Sequence, residues 1–393
     1  MIKLAVKSAF VERLKKGFPW VYTEALQSKP PSIKQGELVL LTESNNQPFA
    51  QAYYNPHSKL ACRILTRDLE VKIDEAYFIK LFSNALKRRE RHISEPYYRL
   101  VHAEGDNLPG LVIDRFGDTL VCQTSTAGME KLKAIWVKAL QTLLNPQTII
   151  FRDNIKNRES ENLKLEINTI GTSPATGELL FVKENDLTFY ADPINGQKTG
   201  WFYDQRANRF WIRGRSKGKT VLDLYTFSGG FGISTAKGQA KHVTFVDSSE
   251  QALLHAKNAM ALNELATPCE FIQDDVFELL PKMIEQQQTF DIVLADPPAF
   301  VKIAHQKMVG LKGYQKLAKL ATQVVAKNGI LMIATCSHHA STNEFQDAII
   351  KGIAKAGREA RLIRKAGADK DHPVNPFLPE NHYLKSLAFK LDE

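Results

Sequence analysis

Short apolar runs separated by segments of helical spacing fill the chain from about residue 220 onward. Val221–Phe227, His242–Val246, Phe290–Ala295 and Ile330–Ala334 are predominantly apolar over strand length, and Cys269–Gln273 (CEFIQ) adds a more mixed strand signal. Val221–Phe227 is β-branched and apolar enough for a strand covered on both faces, as in a parallel sheet. Between them, Phe231–Lys237 and Gln251–Asn263 have helical spacing, and Ser341-Thr342-Asn343-Glu344 is a capping box that opens a further helix. Strand and helix in alternation predict an α/β domain with a doubly wound sheet.

The first half of the chain has another rhythm. From Ile2 to about Leu69 the strand signals are short and the turns frequent: IKLAV, the basic FVERLKKGFPWVY, GELVLLTE, PFAQAYYN and KLACRIL. This predicts a small β-barrel over residues 1–70. Asp74–His92 predicts a helix whose charged end, KRRERH, is either a solvated face or a phosphate-contacting one. Residues 71–180 predict an α+β module, with strands on both sides of a Gly117-Asp118 turn, an amphipathic helix over Met129–Leu144, and short strands in TIIFRDN and LKLEI. The hairpin LLFVKENDLTFYAD then introduces the α/β domain, over residues 181–393.

Composition changes this picture in one respect. A hydrophobic share of 44% and a charged share of 24% in 393 residues fit an ordinary globular protein, but the net charge of +9 points toward a polyanionic partner. The plainer reading is a basic cytosolic protein. Lys15 and Lys16 beside Phe18, Trp20 and Tyr22 mix cations with rings as nucleic-acid surfaces do, or pack into the barrel core. No run reaches membrane-span length and the first twenty residues have no apolar signal core, so a cytoplasmic location is expected. Cys62, Cys122, Cys269 and Cys336 are scattered with no C-x-x-C pair, which indicates neither a disulfide framework nor a cysteine zinc site, and no metal is expected.

The candidate chemistry lies at the carboxyl ends of the predicted strands. After the first of them, Ser228, Gly229 and Gly230 allow a sharp turn and close approach of a ligand to the backbone. Asp247 ends the second strand, where a carboxylate meets ribose hydroxyls of a nucleotide-like ligand. The dinucleotide pattern G-x-G-x-x-G fails, because Thr235 stands where its last glycine would be, and Gly218-Lys219-Thr220 precedes the strand rather than following it as a P-loop does. Asp223 inside the first strand and Asp247 after the second suit a ligand with a cationic amino-acid end and a ribose, which describes S-adenosylmethionine. An ordinary glycine turn is the competing reading of this stretch alone.

Asp275 or Asp274, at the tip of the third strand, can accept from an adenine amino group or simply cap a helix. Asp296-Pro297-Pro298 must end the fourth strand and leave Asp296 at the carboxyl edge. The lysine-rich VKIAHQKMVGLKGYQKLAK predicts a mobile basic lid that touches phosphates through Lys302, Lys307 and Lys312, or a solvated loop leading into a helix. Cys62, Cys122 and Cys269 read as inert core residues. Cys336 differs: it sits between a strand end and a helix N-terminus, where the helix dipole or His338 favours a thiolate.

DLYTFSGGFG, FVDSS, QDDVF, ADPPAF and ATCSHH occur in the order found in the Rossmann-like S-adenosylmethionine-dependent methyltransferases that modify C5 of pyrimidines in RNA. The chain resembles the large-subunit 23S rRNA methyltransferase I family over nearly its whole length. FPWVYTEAL with AYYNPHSKLACRIL is similar to an RNA-binding PUA domain, LVHAEGDNLPGLVIDRFGD to the family's middle module, GQKTGWFYDQRANR to its cofactor-covering segment, and DHP with LPENHYLK to its C-terminal part. The resemblance implies a Rossmann-like class I methyltransferase domain preceded by a small PUA-like β-barrel and a small α+β domain. It further implies S-adenosylmethionine as cofactor, 23S rRNA or its large-subunit precursor as partner, and Cys336 as nucleophile toward a cytosine. Oligomeric state is left open, a homodimer included. Carried over residue by residue, Asp223, Phe227, Ser228, Gly229 and Gly230 surround the methionine end, with Gln205 added from the covering segment, while Asp247 holds the ribose and Asp275 the adenine. Two departures are Ala299, where the family often has lysine, and His338, where it often has glycine.

The chemistry suits these residues independently. C5 of cytosine is a poor nucleophile, and thiolate addition at C6 makes it enamine-like. Asp296 is placed for the N3/N4 edge of the base. Two other readings remain. Amino-group methyltransferases carry [DNS]-P-P-[YFW], which Asp296-Pro297-Pro298-Ala299-Phe300 approaches one residue late, and they need no Cys336. An RNA-binding assembly factor that keeps a methyltransferase shell is the non-enzymatic alternative.

Overall fold

The computed structural model describes residues 1–28, 33–172, 178–301, 303–379 and 382–392. The chain folds into two compact units: one of Met1–Leu180, Asp192–Trp201 and Lys370–Asn381, the other of Phe181–Ala191, Phe202–Asp369 and His382–Glu393.

The first unit opens with β1 (Ile2–Ala5), helix α1 (Ser8–Lys15), β2 (Trp20–Val21), β3 (Glu37–Thr42), β4 (Pro48–Tyr54) and β5 (Cys62–Thr66). Among the described residues these strands form one sheet in the order β1-β3-β4-β5-β2, with β1 parallel to β3 and the other pairs antiparallel. The stretch FVERLKKGFPWVY, expected as strand, is strand only at Trp20–Val21, which is β2, and up to Lys15 is helix α1. Val11 and Leu14 face inward three residues apart, and Arg13 and Lys15 crowd its last turn, which the sheet could not bury. Phe18 is core with the Arg13 guanidinium 3.6 Å from its ring centre, Trp20 Nε1 donates to Glu104 Oε1 at 2.8 Å, and Lys16 is exposed.

The same unit continues with α2 (Glu75–Glu90), β6 (Tyr97–His102), β7 (Leu111–Phe116), β8 (Thr119–Thr124), α3 (Ala127–Lys131), α4 (Lys133–Leu144), β9 (Thr148–Asp153) and β10 (Glu166–Gly171). The second sheet runs β10-β9-β8-β7-β6. Phe78 and Phe82 of α2 and Trp136 and Leu140 of α4 join Ile113 and Cys122 in its core. The helix expected over Met129–Leu144 is broken at Leu132, and Trp136 Nε1 donates to the Met129 carbonyl across the break at 2.9 Å. KRRERH is not uniformly solvated either. Arg89 is 1% exposed and grips Asp106 with two hydrogen bonds of 2.6 Å. Its Nη2 also donates to the Asp371 carbonyl, and Leu378 enters the first core, so the 370–381 segment is built into this unit.

The second unit begins with the hairpin β11 (Leu180–Glu184) and β12 (Leu187–Ala191), whose turn residues Asn185 and Asp186 both have positive φ, as a two-residue type I′ turn requires. Then come α5 (Arg206–Arg213), β13 (Thr220–Leu224), α6 (Gly230–Lys237), β14 (His242–Asp247), α7 (Glu250–Leu262), β15 (Cys269–Gln273), α8 (Val276–Glu285), β16 (Phe290–Ala295), α9 (Lys307–Gln323), β17 (Val325–Thr335), α10 (Thr342–Lys355), β18 (Ala360–Ala366) and β19 (Lys385–Leu391). Among the described residues the sheet order is β15-β14-β13-β16-β17-β19-β18. β13 to β17 are parallel, and β19 lies antiparallel between β17 and β18. The order reverses between β13 and β16, so the crevice of this α/β sheet opens at their carboxyl ends.

Two expected strands differ in extent. β13 stops at Leu224, not Phe227, because Tyr225 and Phe227 take positive φ to begin the turn. β17 starts at Val325, ahead of the expected Ile330, with Asn328 at positive φ where its pairing to β16 shifts register. The lysine-rich segment expected as a lid is helix α9 from Lys307 on, and Tyr314 and Leu317 are fully buried; Lys302 lies outside the described residues. Cys62 and Cys122 are buried as expected, but Cys269, expected in a core, is exposed on the edge strand β15. Among the described residues no helix is long and apolar enough to cross a membrane.

Candidate active site

The turn after β13 is organised from within by a carboxylate. Asp223 Oδ2 accepts from Thr226 Oγ1 at 2.5 Å and from the Gly232 amide at 2.7 Å, which fastens the start of α6 to the strand. Asp223 is buried, and burial pushes its carboxyl up to about 7 against the pull of those two hydrogen bonds, with the Asp296 and Asp247 charges adding to the rise. Asp247, at the end of β14, accepts from the Phe227 amide at 2.8 Å and the Ser249 amide at 2.9 Å. Phe227 is a bulky residue at φ 51°, a conformation that costs about 1–2 kcal/mol. That amide bond and the edge-on packing of its ring on Phe202, 5.3 Å between centres, hold it there. Gly229 has φ +86°, and a Cβ there would lie 2.8 Å from both Ala256 Cβ and Ile233 Cδ1. Only glycine fits. Gly230 begins α6.

Two hydroxyls at this turn, Ser228 Oγ and Tyr225 Oη, are buried with no hydrogen-bond partner among the described residues. Burial, then the charge of Asp275, raises the Tyr225 phenol above its ordinary range. Asp275 caps α8, its Oδ1 accepting from the Phe277 amide at 2.7 Å, while Asp274 is taken up by Lys282 at 2.9 Å. Unpartnered buried hydroxyls, two strand-end carboxylates and a glycine that admits no side chain suit a ligand carrying an amine and ribose hydroxyls. Tyr225 escaped the sequence reading because it resembles one more strand residue.

Asp296 follows β16. Its Oδ2 accepts from Gln205 Nε2 at 2.9 Å, and Gln205 Oε1 accepts from Asn208 Nδ2 at 2.7 Å. Gln205 thus has its amide committed to Asp296 and to the helix it precedes. Cys336 follows the neighbouring strand β17, which runs in parallel register with β16 through Ala295 and Ile333. It is half-buried. Around it, Tyr314 Oη lies 2.6 Å from Thr335 Oγ1 and 3.0 Å from Ser337 Oγ, the Val301 amide donates to Ser337 Oγ at 3.3 Å, and the capping box of α10 has both of its halves. His338 is exposed, its ring stacked on Tyr383 at 5.3 Å. Asp296 and Cys336 therefore leave adjacent parallel strands on the crevice side. Among the described residues no group of three or more His, Cys, Asp and Glu side chains is placed to hold a metal ion.

The strand order, the glycine turn and the carboxylates at successive strand ends define a Rossmann-like methyltransferase dependent on S-adenosylmethionine. The family of S-adenosylmethionine-dependent methyltransferases matches residues 170–374, and the PUA-like domain family matches residues 4–67. The chain is 33% identical over 394 residues to the ribosomal RNA large subunit methyltransferase I of Enterobacter sp. (strain 638), covering 99% of each, and 33% identical over 398 residues to that of Escherichia coli (strain K12), again covering 99% of each. It belongs to that family. Its fold is also that of a candidate S-adenosylmethionine-dependent methyltransferase from Streptococcus mutans, with a TM-score of 0.83 at 24% identity over 99% of this chain and 100% of the other.

Proposed function

We propose that this protein methylates C5 of a cytosine in the 23S RNA of the large ribosomal subunit, with Cys336 as nucleophile and Asp296 at the base. The observation that carries the reading is the pairing of a half-buried cysteine with a carboxylate at the ends of adjacent parallel strands, β17 and β16. The ribosomal substrate rests on the names of the relatives and agrees with the net charge of +9.

When bound, S-adenosylmethionine supplies an electrophilic methyl group. Asp223, Phe227, Ser228, Gly229 and Gly230 are proposed at its methionine end, Asp247 at the ribose and Asp275 at the adenine. The Cys336 thiolate adds to C6 of the cytosine, which loads C5 with electron density. Asp296, oriented by Gln205, meets the N3/N4 edge. After methylation the C5 proton leaves, the C6–S bond breaks and the thiolate is restored.

RNA carrying 5-fluorocytosine tests this, because fluorine cannot leave as a proton does. Wild type should form a covalent protein–RNA adduct that survives a denaturing gel, Cys336→Ala should form none while still binding S-adenosylmethionine, and Cys62→Ala and Cys269→Ala should behave as wild type. Methylation by Cys336→Ala at near wild-type rate would return the reaction to an exocyclic amine. Failure of the wild type to bind S-adenosylmethionine in isothermal titration would leave the assembly-factor reading.

A further inference from the structure

Lys385 begins β19 and pairs with Thr335 in the antiparallel ladder, one residue before Cys336. The residue is only 5% exposed. Its Nζ donates to the Ser337 carbonyl at 2.9 Å, and among the described residues it forms no ion pair with a carboxylate. An ammonium buried against a neutral carbonyl loses its water without a directly bonded carboxylate in return, which is an expensive arrangement unless a further negative charge forms nearby.

The titratable groups around Lys385 narrow the candidates. Burial pulls its ammonium below the ordinary lysine range, and the two charges that act in the opposite sense are Cys336 first and Glu344 second. Glu344, on the first turn of α10, is already engaged by Lys307 Nζ at 3.0 Å and by the Ser341 amide at 2.9 Å. From α9, Tyr314 also feels Cys336, and its hydroxyl is tied to Thr335 and Ser337. Cys336 is then the group whose ionisation would balance the buried cation.

We propose that Lys385 is a positioning residue for methyl transfer: it fixes the Cys336-Ser337 peptide through the Ser337 carbonyl and supplies the fixed positive charge against which the Cys336 thiolate forms. The thiol proton passes to solvent, and the sulfur keeps the electron pair that attacks C6. This inference rests on Cys336 being the nucleophile. It assigns a residue 49 positions away in sequence to the task that His338 or a helix dipole was expected to perform.

The test reads the thiol directly. In the full chain carrying Cys269→Ser, the rate of Cys336 alkylation by iodoacetamide is followed against pH by peptide mass spectrometry. Lys385→Met should move the alkylation midpoint up by about one pH unit and slow the reaction about tenfold at neutral pH, whereas Lys385→Arg should stay near wild type. A purely structural lysine would leave the midpoint in place, and an unchanged midpoint in a folded Lys385→Met overturns the proposal. Should Lys385→Met fail to fold, the unmodified lysine still decides: a Cys336 midpoint at or above that of an ordinary free thiol overturns it too. Methylation by Cys336→Ala would defeat the nucleophile reading instead, an outcome distinct from both.

Discussion

Gln205 Nε2 donates to Asp296 Oδ2 at 2.9 Å, joining the residue before α5 to the end of β16, 91 positions away in sequence. The amide cannot turn over without losing a second bond, since Asn208 donates to its Oε1.

Gln205→Leu should therefore act on Asp296, the carboxylate proposed to meet the base. A hydrogen bond to a charged group contributes about 1.5–3 kcal/mol, so kcat should fall about 10- to 100-fold while the S-adenosylmethionine Kd moves only a few-fold. Single-turnover methylation and isothermal titration separate the two quantities. A large loss of cofactor affinity at unchanged kcat would put Gln205 on the cofactor.

Asp247→Ala removes the acceptor proposed for the ribose and also the partner of the Phe227 amide. Cofactor affinity should weaken by about 1.5–3 kcal/mol. Unchanged affinity in titration would remove Asp247 from the site.

Asp223 makes stability depend on pH. Its carboxyl is raised by burial from its ordinary 3.8 to about 7 in the folded protein, so between these values the native state holds a proton that the unfolded chain has released. Stability then falls as pH rises through that window and levels off above about 7. In urea unfolding, wild type should lose stability relative to Asp223→Asn as pH rises from about 4 to about 7, with no further loss above that. Parallel curves for the two proteins would contradict the raised value.

Arg89→Met takes from buried Asp106 the guanidinium that binds both of its oxygens, leaving Arg88 Nη2 on Oδ1 at 2.6 Å and the His102 amide on Oδ2 at 2.7 Å. Removing the sole partner of a buried charge costs about 3–5 kcal/mol, and the Arg88 pair that remains keeps the loss below that, while removing both members together costs much less. Arg89→Met should lower the urea midpoint markedly, and Asp106→Leu added to it should recover most of the loss.

The strands that build the crevice were legible because burial on both faces leaves almost continuous apolar runs, as in Phe290–Ala295, and the prolines after Asp296 mark where one of them must stop. α1 was not, because a short surface helix with two buried residues, Val11 and Leu14, has an apolar stripe too thin to stand out beside the neighbouring strand signals. Arg89 reads as one more cation in KRRERH until Asp106 folds against it. Gln205 was reached only through the resemblance of GQKTGWFYDQRANR, and as a cofactor residue, while Lys385 was not singled out at all. Each is defined by a partner brought in through the sheet, Asp296 in one case and the peptide after Cys336 in the other.

β19 comes after β18 in the chain yet is, among the described residues, its only sheet neighbour, lying between it and β17. During synthesis β18 must wait, since the strand that will pair with it leaves the ribosome only after the intervening segment that joins the other unit. Lys385 arrives with that strand. A nascent chain can thus complete its glycine turn and its Asp296 edge well before the cation reaches Cys336, and under the role proposed for Lys385 the nucleophile is armed in one of the last steps of folding.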